Sequence, residues 1–88
     1  MIGIGIIGAG FFGELHARAL AEVEGGRLVA ASRRDSAALE RFVSRFGGRG
    51  YTDYQDLLRD PQVQAVVVAV PHHLHTQVAV QSARAGRI

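Results

Sequence analysis

No cysteine occurs in the 88 residues, which rules out a disulfide framework, a thiolate nucleophile and a zinc–thiolate site. Lysine is missing as well, since all ten basic residues are arginine. Without it the chain can form no Schiff base and has no lysine general acid. A Walker A phosphate loop is excluded for the same reason. No Ser-His-Asp constellation or paired-carboxylate site can be assembled. No apolar run is long enough to cross a bilayer. Met1 opens directly into an apolar strand pattern, so no signal peptide is expected and a cytoplasmic location is. Internal repeats, low-complexity segments and linkers are absent too.

What remains is the composition of one small globular domain, 48% hydrophobic and 20% charged. The arginines give a pI of about 9.9, although the formal charge is only +2. They are scattered among eight acids, and no basic stretch is interleaved with aromatics. That pattern predicts no nucleic-acid partner, and nothing predicts a membrane partner.

The informative stretch is Ile4-Gly5-Ile6-Ile7-Gly8-Ala9-Gly10-Phe11-Phe12-Gly13. A β-branched run enters Gly-x-Gly-x-x-Gly, and a helical apolar period follows at once, which is the context of a dinucleotide-binding loop. Gly8 permits the tight turn, Gly10 lets the backbone approach a pyrophosphate, and Gly13 allows close helix–strand packing. The N–H groups at the helix start and the helix dipole then favour phosphate.

Ile2–Ile7 reads as the first strand. Phe12, Leu15, His16, Ala19, Leu20 and Val23 form the expected buried stripe of the helix after it, with His16 a packed histidine and Gly25-Gly26 the stop. Leu28–Ala31 reads as a buried parallel strand. Asp35 or Ser36 caps a helix with a stripe of Leu39, Phe42, Val43 and Phe46, stopped by Gly47-Gly48. Tyr51 falls in a brief third strand. Thr52–Gln55 has the form of a capping box for a short helix through Leu57-Leu58, closed by Asp60-Pro61. Val66–Val70 is a fourth strand, buried on both faces. Pro71 ends it, His72–His75 form a turn, and a helix runs on to about Arg84, with Gly86 at its end. Four strands alternating with four helices predict an α/β, doubly wound parallel sheet of order 3-2-1-4, with helices on both faces. Strands one and four then meet at the topological switch point, where the glycine loop and the Pro71–His75 turn flank one crevice.

Three segments also carry a resemblance. They are Ile7-Gly8-Ala9-Gly10-Phe11-Phe12-Gly13 with His16, then Tyr51–Leu58 with Asp60-Pro61, then Val66–His75. Together they resemble the N-terminal, Rossmann-type NAD(P)-binding domain of the glucose–fructose oxidoreductase / inositol dehydrogenase (Gfo/Idh/MocA) family, along the whole chain. The resemblance implies an oxidoreductase moving hydride between nicotinamide and a sugar or polyol carbon. It implies that Gly8, Gly10, Phe11, Phe12 and Gly13 hold the pyrophosphate region. Val70 and Pro71 would line the cofactor beside its nicotinamide half, with His72 and His75 near. His72 departs from the family's frequent asparagine, and Gln64 stands where aspartate is common. In the family the last helix leads to a fifth strand, a Glu-Lys-Pro motif with a catalytic lysine, and a separate substrate domain. Residues 1–88 are therefore expected to be an incomplete cofactor domain with no catalytic residue of its own.

An acidic residue about twenty positions past the glycines binds the ribose 2′-OH of NAD, whereas arginine there accommodates the 2′-phosphate of NADP. Position 33 is Arg33, followed by Arg34, with Ser32 and Ser36 as further hydroxyl donors. A guanidinium fork suits phosphate oxygens. Asp35, the competing acid, is placed to cap a helix. NADP is the expected cofactor, with NAD the alternative. His72-His73-x-His75 lacks the i, i+4 spacing common in zinc sites and has no carboxylate nearby, so no metal is expected.

The resulting expectation is the dinucleotide-binding portion of an NADP-preferring dehydrogenase, inactive alone and taking a substrate only with its missing domain. A stand-alone nucleotide-sensing module is the alternative. A methyltransferase or flavoprotein loop is a further one, although a flavoprotein wants an acid where Arg33 stands. The unpartnered fourth strand predicts marginal stability or self-association through the sheet edge.

Overall fold

The computed structural model describes residues 1–87, with the side chain of His72 outside the described set. Strand β1 (Ile2–Ile7) leads into helix α1 (Phe11–Leu20), followed by β2 (Gly26–Ser32) and α2 (Ser36–Phe46). Then come β3 (Arg49–Tyr51), α3 (Tyr54–Leu58), β4 (Ala65–Val68) and α4 (His72–Arg84). The four strands form one sheet in the order β3-β2-β1-β4, and every pairing is parallel. Parallel neighbours require crossovers, so the helices cover both faces. Ile6, Ala17, Ala31, Leu39 and Phe42 pack beneath α1 and α2. Ile7, Val29, Leu57, Val63 and Val78 pack beneath α3 and α4.

Local signals fix several boundaries. The Asp35 carboxylate accepts hydrogen bonds from Ala37 and Ala38 at 3.1 and 3.2 Å, so it is the α2 cap. Gly47 ends that helix at a φ of 85°. Asp53, not Thr52, caps α3, accepting from the Gln55 N–H at 2.9 Å. Gln64 ties down the first strand: its Oε1 accepts from the Gly3 N–H at 2.8 Å and its own N–H donates to the Gly3 carbonyl.

Four expectations are corrected. The buried face of α1 is Gly13 and Ala17 with Leu20 half-buried, whereas Phe12 is 65% and Leu15 47% exposed. His16 and Val23 are exposed too. The physical reason is distance: a Cβ on Gly13 would lie 2.5 Å from the Gly8 carbonyl oxygen, so only small residues fit that face. Helix α1 also stops at Leu20, closed by Glu22 and Val23 N–H groups donating to Ala19 and Leu20. Gly25, at a φ of 89°, instead turns the chain into β2, which already includes Gly26 and extends to Ser32. Strand β4 is Ala65–Val68 and half-buried throughout, because it is a sheet edge with β1 on one side alone. Finally, His72–His75 do not form a separate turn. Pro71 caps α4, and these residues make its first turn.

Candidate cofactor site

All strands of a parallel sheet end on the same edge, so the tips of β1, β2, β3 and β4 surround one crevice of about 770 Å³. Gly8, at a φ of 94°, turns the chain out of β1. A Cβ there would sit 2.5 Å from the Ala69 carbonyl oxygen, so the turn needs glycine on two counts. The Ser32 carbonyl accepts from both the Gly8 and Ala9 N–H groups, at 3.0 and 2.9 Å. Gly10 then donates to the Gly8 carbonyl at 2.8 Å and caps α1 without a side chain. The first intrahelical donor is Glu14, bonded to the Gly10 carbonyl at 2.9 Å. The N–H groups of Phe11, Phe12 and Gly13 precede it and have no intrahelical acceptor.

A pyrophosphate fits this arrangement. Gly10 is the one position of the motif where a Cβ would meet nothing within 4 Å, leaving the helix start open to an approaching anion.

Seven residues proposed from sequence line the crevice: Gly8, Gly10, Ser32, Arg33, Arg34, Val70 and Pro71. The others do not. Gly13 is buried beneath the loop, and Phe12 points outward. Phe11 lines an adjoining pocket between α1 and α2. His75 is exposed on α4 away from the lining, and the His72 side chain lies outside the described residues. The crevice also takes in Thr52, Asp53, Tyr54 and Gln55 after β3, and Leu74, Gln77 and Val78 on α4. A signal for the first group existed, since the tip of β3 must share the edge with the other tips. The α4 contribution follows from Pro71 starting a helix directly.

Arg33 is held at both ends. Its N–H donates to the Tyr51 carbonyl at 3.0 Å, and its Nη1 donates to the Ala9 carbonyl at 3.3 Å. Below the β3 tip, the Tyr51 hydroxyl donates to Asp60 Oδ2 at 2.7 Å and the Gln62 N–H donates to Asp60 Oδ1 at 2.9 Å. Burial pushes the Asp60 carboxyl up, but these two hydrogen bonds and the charges of Arg49 and Arg87 outweigh it and hold it below the usual range. Donation to Asp60, then burial, raises the Tyr51 phenol. This buttress fixes β3 rather than the chemistry of the crevice. Among the described residues no group of three His, Asp or Glu side chains is arranged to hold a metal ion. No helix among them is long and apolar enough to cross a membrane.

Residues 2–87 match the model of the Gfo/Idh/MocA group, described as an oxidoreductase family with an NAD-binding Rossmann fold. The chain belongs to this family. An uncharacterised oxidoreductase of Rhizobium meliloti is 36% identical over 89 residues, covering 99% of this chain and 27% of the relative. Among solved structures, a 3-ketoreductase from Actinomadura kijaniata in complex with NADP and TDP-benzene superposes with a TM-score of 0.93 at 31% identity. The match covers 98% of this chain and 27% of that one. Scyllo-inositol dehydrogenase from Lactobacillus casei, with bound NAD(H) and scyllo-inositol, gives 0.91 at 28% identity, over 99% and 26%. The chain thus spans about a quarter of the length of these relatives.

Proposed function

We propose that this chain is the dinucleotide-binding portion of a dehydrogenase acting on a sugar, a polyol or a related hydroxyl or carbonyl substrate, and that it prefers NADP to NAD. Family membership supports the reaction class, and relatives named as a scyllo-inositol dehydrogenase and a 3-ketoreductase support the substrate class. One observation carries the cofactor preference. Arg33 and Arg34 line the crevice at the β2 tip, while Asp35, the acid that could bind a ribose hydroxyl, is committed to capping α2. The bound dinucleotide supplies the hydride donor or acceptor. The chain's own residues bind and orient it: the Gly8–Gly13 loop faces the pyrophosphate, Ser32, Arg33 and Arg34 face the phosphorylated ribose, and Val70 and Pro71 face the nicotinamide half.

In this reading residues 1–88 are a cofactor domain that binds dinucleotide but does not turn over substrate, and the cytoplasm is its compartment. Fluorescence titration of the chain with NADPH and NADH tests the preference. Changing Arg33 and Arg34 together to Ala should weaken NADPH about a hundredfold and NADH by less than about threefold, because two charge-assisted contacts are lost with one ligand alone. Equal losses for both cofactors would overturn the assignment.

A further inference from the structure

We propose that the 2′-phosphate of the cofactor sits beside Arg33, where the crevice meets the pocket between α1 and α2, and that Arg41 on α2 is a specificity-determining residue for it. This inference rests on the NADP reading above.

Arg33 lines both the crevice and a second cavity of about 460 Å³. Gly10 also borders both, so the two cavities adjoin at these residues. Ala9 and Phe11 supply the loop side of that cavity. Ala38, Arg41, Phe42 and Arg45 supply the α2 side, at the i, i+3, i+4, i+7 spacing of one helix face. Ala38 and Phe42 are buried against the sheet, while Arg41 and Arg45 stay exposed at the rim.

Charge decides what fits. Glu14 is the one acid among the residues lining this cavity, and Arg45 pairs with it at 3.2 Å. Among the described residues the other ion pair joins Arg59 to Asp56, so neither Arg33 nor Arg41 engages a carboxylate. Arg33 spends one N–H on the Ala9 carbonyl, and a guanidinium carries five. Two uncompensated guanidinium groups beside the pyrophosphate loop match a phosphate monoester, which carries close to two negative charges and three terminal oxygens. A pyrophosphate diester oxygen bears less charge and is already served by the start of α1. Arg34 lines the crevice side, and Arg41 is the cation without a carboxylate partner that shares the second cavity's lining with Arg33.

Calorimetry with adenosine 2′,5′-bisphosphate, adenosine 5′-monophosphate and inorganic phosphate tests this without any turnover. The intact chain should bind the bisphosphate more tightly than the monophosphate. Arg41→Gln keeps helix propensity and should weaken the bisphosphate roughly tenfold, leaving the monophosphate unchanged. Arg41→Lys should recover part of that loss, and thermal melts should match across the variants because Arg41 is exposed. If the intact chain prefers the bisphosphate and Arg41→Gln keeps the full preference, the role of Arg41 is overturned while the NADP reading stands. If the intact chain shows no such preference, the NADP reading itself falls and takes this inference with it. Tight binding of inorganic phosphate that is lost in Arg41→Gln, without discrimination between the nucleotides, would mark a free-phosphate site and overturn the assignment to the ribose.

Discussion

The two flanks of the sheet differ sharply in charge. All eight acidic residues and eight of the ten arginines precede Pro61, and no Asp, Glu, Lys or Arg occurs from Pro61 through Ala83. The β3 edge is three residues long, exposes Arg49 and is braced by the Tyr51–Asp60 pair. The β4 edge reads Ala-Val-Val-Val, is half-buried and is followed by a helix whose first charged residue is Arg84. A short, charged strand is how an edge is protected from further pairing, and the β4 edge lacks that protection. One flank is therefore finished toward solvent and carries the candidate phosphate contacts. The other has the character of an interior surface.

Gly8 joins the flanks, since its N–H bonds to Ser32 of β2 and its Cα faces the Ala69 carbonyl after β4. Gly8→Ala should therefore break both. Its positive φ and the 2.5 Å approach to Ala69 predict a cost of about 3 kcal/mol or more, seen as a fall in the thermal midpoint of over about 10 °C. Gly10→Asp should separate binding from folding. Aspartate is a good helix cap, so the midpoint should hold or rise, while its carboxylate occupies the opening left for phosphate. Dinucleotide affinity should fall about a hundredfold in a titration. A destabilised but binding-competent variant would contradict the division of labour between Gly8 and Gly10.

The next test concerns the uncharged flank alone. The Ala69 N–H donates to Ile7, so strand alternation turns the N–H groups of Val66 and Val68 to the open edge. We propose that the 88-residue chain self-associates through this edge, giving a sedimentation coefficient that rises with concentration. Val66→Pro removes one free-edge donor and should shift the chain toward monomer, with its circular dichroism retained. Concentration-independent sedimentation of the parent chain would refute self-association. The smallest effect belongs to the opposite flank. Tyr51→Phe should cost about 1–2 kcal/mol at neutral pH by removing a hydrogen bond to a buried carboxylate. The folded Asp60 pKa lies below its ordinary value of 3.8, so this stabilisation is present above that pH and is lost as pH falls through the folded value. The difference between parent and variant in denaturant melts should accordingly shrink in acid.

Local chemistry was legible at some points and misleading at others: Asp53 rather than Thr52 caps α3, and Gly25 does not end α1. Glycine spacing placed the loop, Asp35 its cap and Gly47 a helix end, because each signal acts within a few residues. The order of the strands followed from their alternation with helices. Periodicity failed at α1 because it weighs apolar against polar and ignores size. A helix pressed against the Gly8 carbonyl buries Gly13 and Ala17 and turns Phe12 outward. The Asp60 network and the position of Arg41 were hidden. Both depend on residues brought together across strands and helices, and no spacing rule along the chain encodes them.

The twin hydrogen bonds to the Ser32 carbonyl give the fold a modular character. The proposed phosphate loop is registered by main chain, one residue before the arginines that are proposed to read the ribose. Side chains at 33, 34 and 41 can consequently be exchanged while Gly8 and Ala9 keep their purchase on β2. If the proposed roles hold, protein engineering could adjust cofactor preference and phosphate grip separately on adjoining residues, with the Arg33–Ala9 hydrogen bond the one loop contact a recoding would remove.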